Sequence, residues 1–267
     1  MSVVVWSLLK QNVKPIVAYS LGTSLYLLLL AALYPSMMKT GLLEAKLEAL
    51  PKELLQAFQY DKVTFNNLLD LLAGNYYGLI FQVIATFYML SLAARLLARP
   101  IDNGELILYL ASPITRIQYT AAALIVMLIA STCLILLNGL VLLMADWTMS
   151  GISIDGMTLL RLQVNALFLL YAVAGFTLFI TTLFDDERRA FSVAAGVLVF
   201  SIVLTIGAGL SEKTDWMRYG SIFSLFDTGR LLAETEHLLL HILLLVLICL
   251  MFSSFAFISF RKRNLSI

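Results

Sequence analysis

Arg95-Leu96-Leu97-Ala98-Arg99-Pro100-Ile101-Asp102-Asn103-Gly104-Glu105-Leu106-Ile107-Leu108-Tyr109-Leu110-Ala111-Ser112-Pro113-Ile114-Thr115-Arg116 is the stretch that decides how the chain folds. It holds Arg95, Arg99, Asp102, Glu105 and Arg116, whereas Leu71 to Ala94 before it and Ile117 to Ala145 after it hold no charged residue. A charge-free apolar run longer than about 18 residues fits a helix through a bilayer. The stretch therefore reads as a polar connection between two membrane spans. Within it, Asp102 is placed to cap a helix, and Glu105 three residues on completes the spacing of a capping box. Pro113 stops that helix, because proline lacks the amide the next turn needs. The expected element, over residues 99–116, is short, stiff and outside the hydrocarbon, suited to being gripped by another protein.

The same test applied outward finds six charge-free intervals: Pro15 to Met38, Leu71 to Ala94, Ile117 to Ala145, Leu162 to Phe184, Ala190 to Ser211 and His237 to Phe260. Of the 267 residues, 61% are hydrophobic and 13% charged, too little charge to cover a soluble surface of this size. The fold class is an all-α membrane protein with six transmembrane helices in one domain, and the lipid bilayer is its solvent. Six spans put both termini on one side, together with the second-to-third and fourth-to-fifth connections. That side holds Lys10, Lys14, Arg95, Arg99, Arg116, Arg188, Arg189, Arg261, Lys262 and Arg263 against five acidic residues, and the other side eight basic against twelve acidic. The positive-inside rule makes the termini cytoplasmic, in a multi-pass protein of the cell membrane. A net charge of +1 gives no basic face for nucleic acid.

Residues 1–14 mix Val3, Val4, Val5, Trp6, Leu8 and Leu9 with Lys10, Gln11 and Asn12, which suits an amphipathic helix lying in the headgroup region or, failing that, a frayed tail. Pro15 marks the expected bend into the first span. No cleavable signal peptide is evident, so the first span is retained. Residues 39–70 carry Leu43, Leu47 and Leu50 before Pro51, and Leu54, Leu55 and Phe58 after it, the spacing of two short amphipathic helices. Asp146 to Arg161 reads as a loop, and Glu212 to Glu236 as a loop with helical character around Arg230. Only Asp185 to Arg189 joins the fourth and fifth spans, so those two form an antiparallel pair with a charged tip. No internal repeat supports a secondary transporter built on duplicated halves.

Gly207 to Thr214 superficially resembles a phosphate loop, but Glu212 stands where the second glycine belongs and no strand precedes it, so it reads as a helix end. His237 and His241 share a helix face, but Leu238 replaces the glutamate of the zinc-protease signature and no third ligand is at hand; no metal site is expected. Cys133 and Cys249 sit in apolar runs and imply no disulfide framework. No serine, histidine and carboxylate trio converges, which leaves an intramembrane hydrolase without support. Gln82, Asn138, Gln163 and Asn165 are the polar exceptions inside the spans. Interhelical hydrogen bonding accounts for them, with Gln82, Asn138 and Asn165 as the candidates to line a pathway. No span carries a charge near its centre, so an energy source outside the chain is expected rather than ion coupling.

The chain resembles, over nearly its whole length, the membrane permease of ABC transporters of the ABC-2 type. The resemblance rests most on Ile101 to Arg116, where Gly104-Glu105 and Ser112-Pro113-Ile114-Thr115-Arg116 look like the family's coupling helix and its Pro-x-Ser/Thr-Arg ending. Leu50 to Phe58, Arg188-Arg189-Ala190, Trp216 to Tyr219 and Phe260 to Arg263 add to it. Asp102-Asn103 replaces a more acidic run, and Gly220-Ser221-Ile222-Phe223 stands where Leu-Ser-Pro-Phe is common. The resemblance implies an exporter half, paired with a second copy or a sister permease and seated on separate cytoplasmic ABC ATPase subunits. ATP and Mg would be held by those ATPases, with no cofactor and no catalytic residue on this chain. Asp102, Gly104, Glu105, Leu106, Leu110, Pro113 and Arg116 would dock on the ATPase, and Asp186, Glu187 and Arg188 would make a secondary contact. A non-transporting membrane sensor or assembly module that recruits a cytoplasmic partner is the alternative reading.

Overall fold

A computed structural model describes residues 1–40, 67–106, 109, 114–149, 152–210, 212–228 and 238–263. Among them six helices are long and apolar enough to cross a membrane, and no strand occurs. We number them α1 (Ser2–Thr40), α2 (Leu68–Asp102), α3 (Arg116–Thr148), α4 (Gly156–Leu183), α5 (Glu187–Leu210) and α6 (Leu238–Lys262). Each contains one of the six charge-free intervals or nearly all of it. Most overrun their interval because charged residues at a helix end reach the headgroups without breaking the backbone ladder. The two amphipathic helices expected between residues 39 and 70 lie outside the described residues except at their edges, as do Arg230 and His237.

Two expectations about helix ends are corrected. α1 runs unbroken through Pro15 and Pro35, so no helix end falls at Pro15. The reason is a single buried stripe, Val4, Leu8, Asn12, Ile16, Ser20, Thr23, Leu27, Ala31 and Tyr34, that keeps the same face turned inward on both sides of Pro15. With about 1.5 Å per residue α1 is about 58 Å long, roughly twice a hydrocarbon core of about 30 Å. At the other correction, Asp146 and Arg161 are helical, and of the described residues between them only 149 and 152–155 lie outside α3 and α4. The acidic residues there close helix ends: Asp146 accepts from the Ile154 amide at 2.9 Å, and Asp155 caps α4 by accepting from the Thr158 amide at 3.0 Å.

Packing follows the rule for lipid, in which apolar burial between helices gains nothing and close approach plus hydrogen bonding decides. α6 turns Leu239, Leu243, Leu247 and Leu250 outward and Cys249, Ser253 and Ala256 inward. Its partner α4 is buried on nearly every face and packs against α2, α3, α5 and α6. At the α4–α6 crossing Gly175 leaves so little room that a Cβ there would lie 2.8 Å from the Cys249 carbonyl oxygen. α1 packs along α3, where the Asn138 side-chain oxygen accepts from Thr23 at 3.0 Å and Ser24 at 2.9 Å, while its amide nitrogen donates to Tyr76 at 3.3 Å. α2 widens into π-helical turns at Ala73–Ile80 and Ala94–Ala98. The first brings the adjacent Tyr76 and Tyr77 both inside, stacked with Phe81 and Phe226.

Candidate functional site

One end of the bundle gathers Arg95, Arg99, Arg116, Arg188, Arg189, Arg261, Lys262 and Arg263; we call it the basic end. α2 finishes there with Arg99–Asp102, and Gly104 follows in the left-handed region at φ 72°, a conformation that a side chain would strain. Asp102 is thus the last residue of α2, and Leu106 and Tyr109 beyond the turn are helical again. The reciprocal capping box lies instead at the start of α3, where the Thr115 hydroxyl accepts from the Gln118 amide at 3.2 Å and the Gln118 side chain accepts from the Thr115 amide at 3.0 Å. Beyond the Gly104 turn, Leu106 is buried and Glu105 is exposed. Leu110 and Pro113 lie outside the described residues.

This connection is tied to its neighbours by charge. Arg99 donates twice to Glu187, from Nε at 3.1 Å and from an Nη at 3.0 Å, a fork on the carboxylate that opens α5. Asp102 faces the Glu187 amide at 3.4 Å. Asp186 caps α5 by accepting from the Arg188 amide at 2.7 Å and the Arg189 amide at 3.0 Å. Those backbone bonds, with Arg189 and Arg188 nearby, hold its carboxyl below the usual aspartate range. Arg263 reaches from the end of α6 to the Thr182 carbonyl at 2.6 Å and to Asp185, and Arg116 donates to the Arg263 carbonyl. On the α1 side, Gln11 donates to the Tyr109 hydroxyl at 3.2 Å, and Tyr109 stacks on Tyr119 at 5.3 Å. The ends of α2, α3, α4, α5 and α6 and the flank of α1 meet in this one layer.

Of the docking residues expected from sequence, Asp102, Gly104, Glu105 and Leu106 fall in one turn, with Asp186, Glu187 and Arg188 beside it. Arg116 stands apart, turned to the end of α6. Sequence reasoning did not select Arg99 and Arg263 as site residues. The signal was present for both, an arginine at a helix end across from the Asp185-Asp186-Glu187 tip, but the pairing spans 78 to 88 residues and no local pattern reveals it. The polar residues within the spans do not converge. Asn138 is taken up in the α1–α2–α3 network, Gln82 is buried on α2, and the buried Asn165 amide has no hydrogen-bond partner among the described residues. His241 is far away, at the opposite end of the bundle on α6.

Compared with known families, residues 9–261 match the C-terminal domain of the multidrug efflux system permease Rv1217c. The chain belongs to that family. With six spanning-capable helices it is a multi-pass membrane permease, a transport subunit. None of the curated proteins matches it. The match takes in part or all of each of the six helices and most of the basic end, stopping before Lys262 and Arg263. Thr214 also settles into an ordinary role in this permease, donating to the Gly207 carbonyl at 2.8 Å where α5 ends, in place of any phosphate loop.

Proposed function

We propose that the permease is the membrane half of an ATP-driven exporter of the ABC-2 type, with its basic end in the cytoplasm. The excess of basic residues at that end supports the orientation, which also places both termini inside. What carries the coupling reading is the fork from Arg99 to Glu187. It joins the last turn of α2 to the first turn of α5, so a push on residues 102–106 reaches two spans at once. Gly104 sets the turn that presents Glu105 outward and buries Leu106. Cytoplasmic ABC ATPase subunits, holding ATP and Mg, would grip that turn together with Leu110, Pro113 and Arg116. Asp186, Glu187 and Arg188 would form the secondary contact. A carboxylate offered in this way suits an arginine on the partner.

The translocation path lies between two permease copies, identical or sister chains. Gln82, Asn138 and Asn165 are buried within a single bundle, so a path lined by them requires the helices to part, and Asn138 serves first as a tie between spans. The test is purification of the tagged permease in mild detergent with mass spectrometry of what accompanies it, for the native chain and for Glu105→Ala. A stoichiometric ATPase that weakens with the variant is expected. A well-folded permease without an ATPase in either sample overturns the reading in favour of a stand-alone membrane module. A second arm pairs Glu105→Arg with a reversed charge on the ATPase, and recovered export is the expected result.

A further inference from the structure

In the half of the bundle away from the basic layer, α3 and α4 leave a groove of about 300 Å³ between them. Leu136, Gly139, Leu140 and Leu143 line its α3 side, and Leu160 stands on α4. By the rise of a helix, the lining from Leu136 to Leu143 runs about 10 Å along the span. All four leucines are exposed, so the groove opens on the face turned to lipid. Its floor belongs to the charge-free intervals Ile117 to Ala145 and Leu162 to Phe184, which sets it at hydrocarbon depth. Among the described lining residues a single side chain is polar, that of Gln163.

Gln163 is only 7% exposed, and neither its amide oxygen nor its amide nitrogen has a hydrogen-bond partner among the described residues. The Tyr77 hydroxyl approaches it from α2 and closes no hydrogen bond. A hydroxyl there can serve one end of the amide, and the other end stays open. On the groove side the amide lies along Gly139. A Cβ on Gly139 would meet Nε2 at 3.8 Å and Cδ at 3.9 Å, with nothing nearer. A heavy atom therefore fits in contact with the amide, at a point that any residue other than glycine would fill. An amide held without partners in an apolar surround costs free energy, which a ligand that pairs with it offsets.

We infer that this groove binds an uncharged molecule with a hydrocarbon body and an amide group, which pairs with the Gln163 amide beside Gly139 while the body lies along Leu136, Leu140, Leu143 and Leu160. The Gln163 amide offers a donor and an acceptor side by side, and a second amide complements both. An ester complements the donor alone and leaves the Gln163 oxygen unpaired. A charged group is disfavoured at this depth, because neither interval supplies a counter-charge. As a place where cargo enters from lipid, the groove rests on the transport reading above. As a binding site it is measured on the permease without an ATPase, so a failure of coupling and a failure of this site are told apart.

The experiment uses the full chain in phosphatidylcholine nanodiscs. Hexadecanamide carrying a diazirine in mid-chain is compared with the methyl ester of the same chain and diazirine, each at known mole fraction in the bilayer. After irradiation the labelled peptides are mapped by mass spectrometry. Saturable labelling of α3 and α4 along the groove is expected, with half-saturation by the amide at a mole fraction about tenfold lower than by the ester, the scale of one hydrogen bond between buried groups. Gln163→Leu should bring the amide to the level of the ester. Gly139→Ala, whose methyl has room and covers the amide, should do the same at an unchanged thermal midpoint, and it keeps the test decisive if Gln163→Leu folds poorly. Equal half-saturation by the two probes in the native permease, the result expected where water alone serves the amide, overturns the site. So does labelling confined to other helices, or a preference for the amide that survives Gly139→Ala and Gln163→Leu.

Discussion

The α4–α6 crossing and the basic end hold helices together by opposite means. At the crossing, small residues let two backbones touch, and nothing there can be loosened without moving a helix. At the basic end, arginines grip carboxylates and carbonyls through long side chains in reach of water, and those contacts re-form after they part. The contrast teaches where this permease is built to keep its shape and where it is built to yield: the seam is fixed by sterics, the end layer by charges that a partner or salt can rearrange.

The harshest way to break the comparison is at Gly175. A Cβ there would sit 2.8 Å from the Cys249 carbonyl oxygen and 3.2 Å from the Ser253 hydroxyl. Backbone cannot move aside as a side chain does, so Gly175→Leu is expected to abolish monodisperse protein on size exclusion. Gly175→Ala should fold with a lower thermal midpoint, a cost of about 1–3 kcal/mol for overpacking. A Gly175→Ala protein as stable as the native one would show that α6 slides freely on α4.

Next in size is Asn138. Replacement by Leu leaves the Thr23 and Ser24 hydroxyls and Tyr76 without their shared partner, and interhelical hydrogen bonds in membranes contribute about 0.6 kcal/mol each and at most about 1.7. A thermal midpoint several degrees lower is expected for Asn138→Leu, the same at low and high salt. Double-mutant cycles with Thr23→Val and Ser24→Ala apportion the loss between the two bonds. The insensitivity to salt is what marks this tie as belonging with the seam.

Much of this was legible from sequence, and what was not has a physical reason. Six spans followed from the placement of 35 charged residues, because lipid permits so few elsewhere. The helix-packing role of Asn138 followed from its being an amide in an apolar run. Pro15 misled because proline weakens a helix locally, whereas the buried stripe from Val4 to Tyr34 is a tertiary fact that overrides it. The capping box was looked for at Asp102 and stands at Thr115 and Gln118, since a spacing rule cannot tell the last turn of one helix from the first of the next. Arg99 and Arg263 were invisible as partners for the same reason that any long-range ion pair is.

The basic end should respond on a smaller scale and in a different way. Arg99→Glu sets two carboxylates against each other at the start of α5, and combination with Glu187→Arg restores the pair in reverse. Half-exposed ion pairs contribute roughly 0.2–1 kcal/mol. The single variant is therefore expected to shift thermal stability little, to shift it less at high salt, and to impair transport more than stability. Recovery of transport in the double variant sharpens the contrast with Gly175, where no second-site charge helps. A salt-independent effect at Arg99 would place this contact with the steric seam instead.

The smallest expected effect separates the two regions by pH. The folded-state pKa of Asp186 is depressed, first by the backbone bond from Arg189, so its cap contributes fully above the unfolded value near 3.8 and is lost as pH falls through the lower folded value. Asp155, held low chiefly by its bond from the Thr158 side chain, follows the same sign at the start of α4. As pH falls from about 4 through the lowered folded values, the native permease should lose a small increment of thermal stability that Asp186→Asn and Asp155→Asn each flatten, since asparagine still caps but does not titrate. The loss caused by Asn138→Leu should stay constant across that window. Its buried partners are hydroxyls, which carry no charge to shed at acid pH, and a slope appearing in that variant would mean that carboxylates at the helix ends bear on the interior tie.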